Sequence, residues 1–260
     1  MKIDTILTNQ INFQDKDCAL LLSGGVDSTS IGFGAHRLGK KITAYSFCLD
    51  NTISYDYDKA KQTAHLMGWE FVGIEIPTEK IVDDWYRLVE FGCEKKTHYE
   101  CIYPFLYIFP QIKEKYVLSG LGADGYYGIS NWGQRTWKIK ESKKNFDAYR
   151  DFYFSPDQQG HTKDNELAEV YEKILITPYR TEPVKDYFYQ FDWERLNKPK
   201  QKHDVRQAFN EFEKVGKIKN HQFLQGNSGI MDLFGTLLDN KEINYKGRKR
   251  MLDVCFDWKK

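Results

Sequence analysis

The sequence predicts an α/β fold, a parallel twisted sheet with helices on both faces and a helical C-terminal half. Three observations carry this. Short apolar runs recur and end in turn-forming residues. Stretches of helical character separate successive runs, as crossovers in a parallel sheet require. The chain of 260 residues is 41% hydrophobic and 29% charged, enough apolar material for one real core.

Residues 1–16 are polar and mixed and read as an extension packed before the first strand. Cys18-Ala19-Leu20-Leu21-Leu22 is an apolar run that stops at Ser23-Gly24-Gly25, as a buried parallel strand stops at a tight turn. Ser28 to Leu38 is predicted helical, with Gly39 placed to end it. Ile42 to Cys48 reads as the second strand, Asp56 to Met67 as a helix closed by Gly68, and Glu70 to Ile76 as the third strand. Helical stretches follow at Thr78 to Gly92 and Cys101 to Lys115, then a fourth strand, Tyr116 to Ser119, running into Gly120-Leu121-Gly122-Ala123-Asp124-Gly125. From about 131 to 165 the chain turns polar and lysine-rich, with turn signals at Ser155-Pro156-Asp157 and Gln159-Gly160, and reads as an insertion or lid. Helices are expected at Glu166 to Leu175, Glu182 to Gln190 and His203 to Val215, so that 166–260 forms the helical part of a single domain spanning 1–260.

Composition makes several functions less expected. The 38 basic and 37 acidic residues nearly cancel, so no global field draws the chain to nucleic acid or a membrane surface. The run Lys246 to Arg250 is locally basic but short, the pattern of a solvated turn. No apolar stretch is long enough to span a bilayer and no leader precedes the first strand, which makes a cytoplasmic location the expectation. The 5 cysteines, Cys18, Cys48, Cys93, Cys101 and Cys255, form no CxxC pair and fit reduced thiols. Cys93, His98 and Cys101 do not have the spacing of a zinc finger or ribbon. The aromatic fraction of 15% is high, and core filling accounts for it.

Two loops carry the chemistry. In the first, Ser23-Gly24-Gly25-Val26-Asp27-Ser28, the glycines let backbone approach a ligand and the following helix turns its N-terminal amides toward an anion. Ser23 and Ser28 add hydroxyl donors, and Asp27 suits a Mg²⁺ ion beside a pyrophosphate. The Gly-Lys-Ser/Thr ending of a Walker loop is missing. This hexapeptide resembles the SGGxDS loop of the N-type ATP pyrophosphatases, the PP-loop superfamily with its adenine nucleotide alpha hydrolase-like, HUP-type fold. The second loop, Ser119 to Gly128, is similar to the SGEGADE-xx-GG element of the asparagine synthetase C-terminal domain. A glycine loop needed only for tight packing is the plainer reading, but it leaves the aspartate unexplained.

The resemblance implies ATP as substrate and Mg²⁺ as cofactor. It implies nucleotide contacts from Leu22, Ser23, Gly24, Gly25, Val26, Asp27 and Ser28, from Ser46 and Phe47 at the end of the second strand, and from Ser119 and Gly120. Asp27 and Asp124 become the metal pair. Lys202-His203-Asp204-Val205-Arg206 resembles the family's lysine-x-x-leucine-arginine element, and Ile218 to Phe223 with Gly226 to Gly229 resembles the segment after it. There the family has a lysine for the departing pyrophosphate. Its register falls nearest Asn220, which makes Lys219 the first choice, with Lys202 and Arg206 in reserve. In a chain this rich in lysine, any one of them is ordinarily a solvated surface residue.

Two departures matter. With only about twenty residues before the first strand, the glutaminase domain of full asparagine synthetases is not expected here. The amine is then expected from free ammonia, a separate glutaminase or a second substrate. The family's two glutamates are replaced by Leu121 and Gly125, so a general base there is lost and asparagine becomes a doubtful product. The expectation is an ATP-dependent carbon–nitrogen ligase that adenylylates a small-molecule carboxylate, releases pyrophosphate and forms an amide with ammonia or an amine. Two alternatives stay open: a PP-loop enzyme modifying a nucleobase or nucleic acid, and a degenerate nucleotide-binding protein.

Overall fold

A computed structural model describes residues 1–50, 52–94, 96–140, 142–155, 161–218, 228–240 and 242–243. The apolar runs form strands β1 (Asp17–Leu21), β2 (Lys41–Leu49), β3 (Glu70–Ile76), β4 (Tyr116–Leu118) and β5 (Ile174–Ile176). All pair in parallel in one 5-stranded sheet of order β3-β2-β1-β4-β5. The chain steps outward from β1 to β3, then returns to the other side of β1 for β4 and β5. That reversal makes the β1/β4 boundary a topological switch point, where loops leaving the carboxyl ends of neighbouring strands frame a crevice.

The helices are α1 (Ile3–Asn9), α2 (Val26–Arg37), α3 (Tyr55–Met67), α4 (Ile81–Glu90), α5 (Lys96–Ile102), α6 (Phe105–Ile108) and α7 (Ala123–Tyr127). After them come α8 (Asn131–Lys140), α9 (Lys143–Tyr153), α10 (His161–Val170) and α11 (Glu182–Tyr189). The last are α12 (Trp193–Asn197), α13 (His203–Ala208), α14 (Glu211–Val215) and α15 (Ile230–Asp239). None of the described helices is long and apolar enough to cross a membrane.

Side chains of β1 alternate between two cores, as the period of a strand demands. Cys18 and Leu20 join Leu7 of α1, Phe33 of α2 and Ala60 and Ala64 of α3 on one face. Ala19 and Leu21 join Trp85 and Leu88 of α4, Ile102 of α5 and Phe234 of α15 on the other. Helices therefore cover both faces. The polar 131–165 stretch carries α8, α9 and the start of α10, and its Trp137, Phe146 and Tyr149 are buried in the first core. Stripping a fully buried ring such as Phe146 or Phe188 to alanine costs about 3–5 kcal/mol.

Several boundaries differ from the sequence reading. Residues 1–16 contain α1, whose Ile3, Ile6 and Leu7 share one helical face and are buried. The helix expected over Cys101 to Lys115 is interrupted, with α5 ending at Ile102, α6 starting after Pro104, and a 3₁₀ turn at Phe109–Gln111 around Pro110. Each proline lacks the N–H and crowds the preceding turn. The helix expected over Glu166 to Leu175 stops at Val170. Glu172 takes a left-handed φ of 58°, and Ile174–Ile176 pairs with Tyr116–Leu118 as an edge strand. His203 to Val215 is split at Phe209, whose extended backbone sinks its ring fully against Phe33.

Candidate active site

The loop after β1 is held by its own serines. The Ser23 amide donates to Ser28 Oγ at 3.1 Å, the two hydroxyl oxygens lie 3.0 Å apart, and the Gly25 amide reaches Ser23 Oγ at 3.4 Å. Gly24 turns the chain at φ +68°, where a Cβ would sit 2.5 Å from the Asp56 carbonyl oxygen. Gly25 is the N-cap of α2, and no side chain caps that helix. The first-turn amides of a 12-residue helix therefore carry their partial positive charge toward the loop without a competing side-chain acceptor. The Leu22 amide donates to the Tyr45 carbonyl at 2.9 Å, and Leu21 pairs with Tyr45, so Ser46 and Phe47 follow at the edge where β1 ends.

The loop after β4 lies directly against the first. A Cβ on Gly120 would be 2.5 Å from the Ser28 backbone nitrogen and 2.7 Å from the Asp27 carbonyl carbon. Only glycine lets the two backbones come this close. Ser119 is buried, its amide donates to the Ile176 carbonyl at 3.0 Å, and its hydroxyl accepts from the Leu121 amide at 3.2 Å. Asp27, in the first turn of α2, and Asp124, in the first turn of α7, are thereby brought to one point.

Lys202 fills that point. Its Nζ donates to Asp27 Oδ2 and to Asp124 Oδ1, the latter at 2.7 Å, and lies 5.5 Å from the centre of the Tyr127 ring. The residue is 3% exposed and adopts φ +60°, beside Glu172 the other non-glycine residue in that region among those described. Burial alone pulls a lysine down, but the facing carboxylates of Asp124 and Asp27 outweigh it and hold Lys202 above its ordinary value as an ammonium. Asp27 is raised, chiefly by burial and further by Asp124, with Lys202 opposing. Its Oδ1 is buried with no hydrogen-bond partner among the described residues. Two hard carboxylates from the loops after β1 and β4, one with an open oxygen, would suit a Mg²⁺ ion. Among the described residues no group of three His, Cys, Asp or Glu side chains is arranged to hold a metal.

Arg206, the other reserve, gives its guanidinium to backbone: Nε to the Gln201 carbonyl at 3.2 Å and Nη2 to the Ile218 carbonyl at 3.3 Å. It braces the segment on either side of Lys202. Lys219, the first choice, lies outside the described residues, as do 220–227, Pro156-Asp157, Gln159-Gly160, Lys246 to Arg250 and Cys255.

The turn after β5 contributes groups near the two loops that sequence reasoning missed. Tyr179, fully buried in the 3₁₀ turn Pro178–Arg180 after β5, meets Ser30 Oγ at 2.9 Å. Ser30 spends its own hydrogen on the Asp27 carbonyl at 2.7 Å, leaving the Tyr179 hydroxyl as the donor. The next residue, Arg180, lies against Gly122 of the second loop, where a Cβ would come within 2.9 Å of Arg180 Cγ. Its side chain is 14% exposed, and Nη2 donates to Asp164 Oδ2 at 3.2 Å. Nε and Nη1 have no hydrogen-bond partner among the described residues. Burial pushes Asp164 up to about 6 against the pull of Arg180. At Gly125 the space for a side chain is already taken, since a Cβ would be 2.1 Å from the Tyr153 ring. Leu121 packs with the second core. A short apolar run followed by proline at Ile174 to Pro178 was the sequence signal for this turn.

The asparagine synthase family model matches residues 3–224. The chain belongs to the asparagine synthase family. Membership makes it an ATP-using enzyme of the ligase type, and the matched span includes both loops and Lys202. No curated protein matches the sequence. Among solved structures, a protein described as a predicted subunit of tRNA methyltransferase from Methanocaldococcus jannaschii is similar at 12% identity and TM-score 0.38, over 79% of this chain and 94% of its own. The NMN synthetase of Francisella tularensis is similar at 14% identity and TM-score 0.36, over 85% of this chain and 97% of its own.

Proposed function

We propose that this asparagine synthase family member adenylylates a substrate carboxylate with ATP, releases pyrophosphate, and passes the acyl group to ammonia or an amine. One observation carries the reading: Asp27 and Asp124, from the two loops at the β1/β4 switch point, converge on the buried Lys202 ammonium. In the first step a carboxylate oxygen attacks the α-phosphorus while the bond from that phosphorus to the β-bridging oxygen breaks. The amides of the first turn of α2 and the hydroxyls of Ser23 and Ser28 would hold the pyrophosphate portion, and Lys202 would meet charge as it gathers on the leaving group. Mg²⁺, held by Asp27 and Asp124, would supply further neutralisation of the phosphates. In the second step nitrogen attacks the acyl carbon, the carbon–oxygen bond to phosphate breaks and AMP departs.

The acceptor side differs from the family motif in a way that bears on substrate. Leu121 offers no carboxylate, and Tyr153 occupies the room a glutamate at position 125 would need. The incoming amine therefore gives up its proton to something other than these two positions. Arg180, with donors to spare, is suited to an anionic group on the acid.

The test is pyrophosphate release and pyrophosphate–ATP exchange across a panel of carboxylic acids, with wild type and Asp27→Asn. Release of pyrophosphate that depends on one acid and vanishes in D27N is expected. Inorganic phosphate as the product, or wild-type exchange in D27N, would remove the adenylylation reading.

A further inference from the structure

Lys202 is placed in an unusual way for a lysine that merely contacts a nucleotide. Its ammonium sits between the very carboxylates that would hold a divalent cation, donating to Asp27 Oδ2 and Asp124 Oδ1. The side chain is 4% exposed, and the Tyr127 ring lies behind it. The backbone reaches this position by accepting φ +60°, a conformation that disfavours any residue with a Cβ. A strained residue that persists in a buried site is held there by what surrounds it. Arg206 bonds to the carbonyl of Gln201, the residue before Lys202, and to that of Ile218.

Both carboxylates accept from this ammonium, and Asp27 Oδ1 is buried with no hydrogen-bond partner among the described residues. The lysine stem has four flexible carbons, so its charge can travel a few ångströms while the backbone stays fixed. The loop with Ser23, Ser28 and the uncapped start of α2 begins one residue from Asp27.

We infer that Lys202 is an exchangeable counter-cation: in the nucleotide-free enzyme it occupies the divalent cation's place between Asp27 and Asp124, and it moves onto phosphate oxygens when nucleotide arrives. This rests on the nucleotide reading given above and adds an order of events to it. The two aspartates do not take up a divalent cation ahead of nucleotide, because the ammonium stands in its place between them. Once Lys202 has moved to the phosphates, its bonds to both carboxylates are given up together.

The experiment uses Mn²⁺ as probe, with free ion counted by electron paramagnetic resonance, on the nucleotide-free full chain. Wild type, Lys202→Met and Lys202→Arg are compared, each first checked for folded circular dichroism. K202M should bind Mn²⁺ at least tenfold more tightly than wild type, and K202R should not. Inorganic pyrophosphate with Mg²⁺, followed by calorimetry, should move the opposite way, at least tenfold weaker in K202M. A lysine needed only for packing would not shift the two affinities in opposite directions. Equal Mn²⁺ affinity in wild type and K202M overturns the exchange.

A second arm needs no variant. Wild type should hold Mn²⁺ at one site only in the presence of α,β-methylene-ATP. Stoichiometric Mn²⁺ uptake without nucleotide overturns the proposal even if K202M does not fold. Binding of α,β-methylene-ATP itself, measured in the same series, separates the two layers. If the analogue fails to bind, the nucleotide reading falls and the exchange with it; if it binds while the Mn²⁺ results reverse, the exchange alone falls.

Discussion

The contact between the two loops makes a quantitative prediction for Gly120→Ala. The added methyl would lie 2.5 Å from the Ser28 nitrogen, 2.7 Å from the Asp27 carbonyl carbon and 2.9 Å from the Ser28 Cα. All three are main-chain atoms, so no side chain can rotate out of the way. Restoring ordinary contact requires the loops to part by roughly 1 Å, an overpacking that costs about 1–3 kcal/mol. For a chain of this size that lowers the melting temperature by roughly 2–12 °C. The same displacement separates Asp27 from Asp124, and misplacement of about 1 Å in a reacting assembly costs on the order of 10²-fold in rate. Gly235→Ala is the internal control: Gly235 lies inside α15, and a Cβ there meets nothing within 4 Å. That change should be neutral or stabilise by about 0.5–1 kcal/mol. Differential scanning fluorimetry and pyrophosphate release on both variants provide the readout. G120A melting with G235A and keeping wild-type turnover would refute the idea that loop-to-loop contact sets the site.

Three further outcomes follow from the same geometry. Gly125→Glu, which restores the family's glutamate, should destabilise by about 3 kcal/mol or more through its clash with Tyr153, and adding Tyr153→Ala should recover a large part; urea unfolding of the single and double variants checks this. Asp164, raised from the ordinary 3.8 to about 6 by burial, binds its proton more tightly when folded, so its contribution to stability falls as pH rises from about 4 to 6 and is flat above. Wild type should therefore lose roughly 3 kcal/mol relative to Asp164→Asn across that window, and a pH-independent difference between their unfolding free energies would contradict it. Tyr179→Phe removes the donor to Ser30 and should cost about 0.5–1.5 kcal/mol while raising the KM for the acid more than that for ATP; unchanged kinetics would confine Tyr179 to packing.

The sheet was legible because its central strands announce themselves locally. Cys18 to Leu22 and Glu70 to Ile76 are apolar or half-apolar runs bounded by glycine and proline, and the latter matches β3 residue for residue. β5 was missed because three residues, Ile174–Ile176, carry too little periodicity to be told from the end of a helix; pairing with β4 decides it. Phe209 broke a helix for the sake of one buried ring, a tertiary choice that spacing does not display. At the candidate site, both aspartates were readable from their glycine loops. Lys202 stood only in reserve, on the resemblance of Lys202 to Arg206 to a family element, since its partner Asp27 lies 175 residues away in sequence. Arg180 and Tyr153 were invisible for the same reason: each matters for what the fold sets beside Gly122 and Gly125, and neither sits in a motif.

The Tyr179–Ser30–Asp27 chain of hydrogen bonds has a mechanical consequence. One serine is clamped by the peptide carbonyl of Asp27 and by the phenol of Tyr179, so the opening turn of α2 and the turn after β5 are tied at a single hydroxyl. Displacing either turn therefore strains the same hydroxyl, which ties the position of the Asp27 peptide to that of Tyr179.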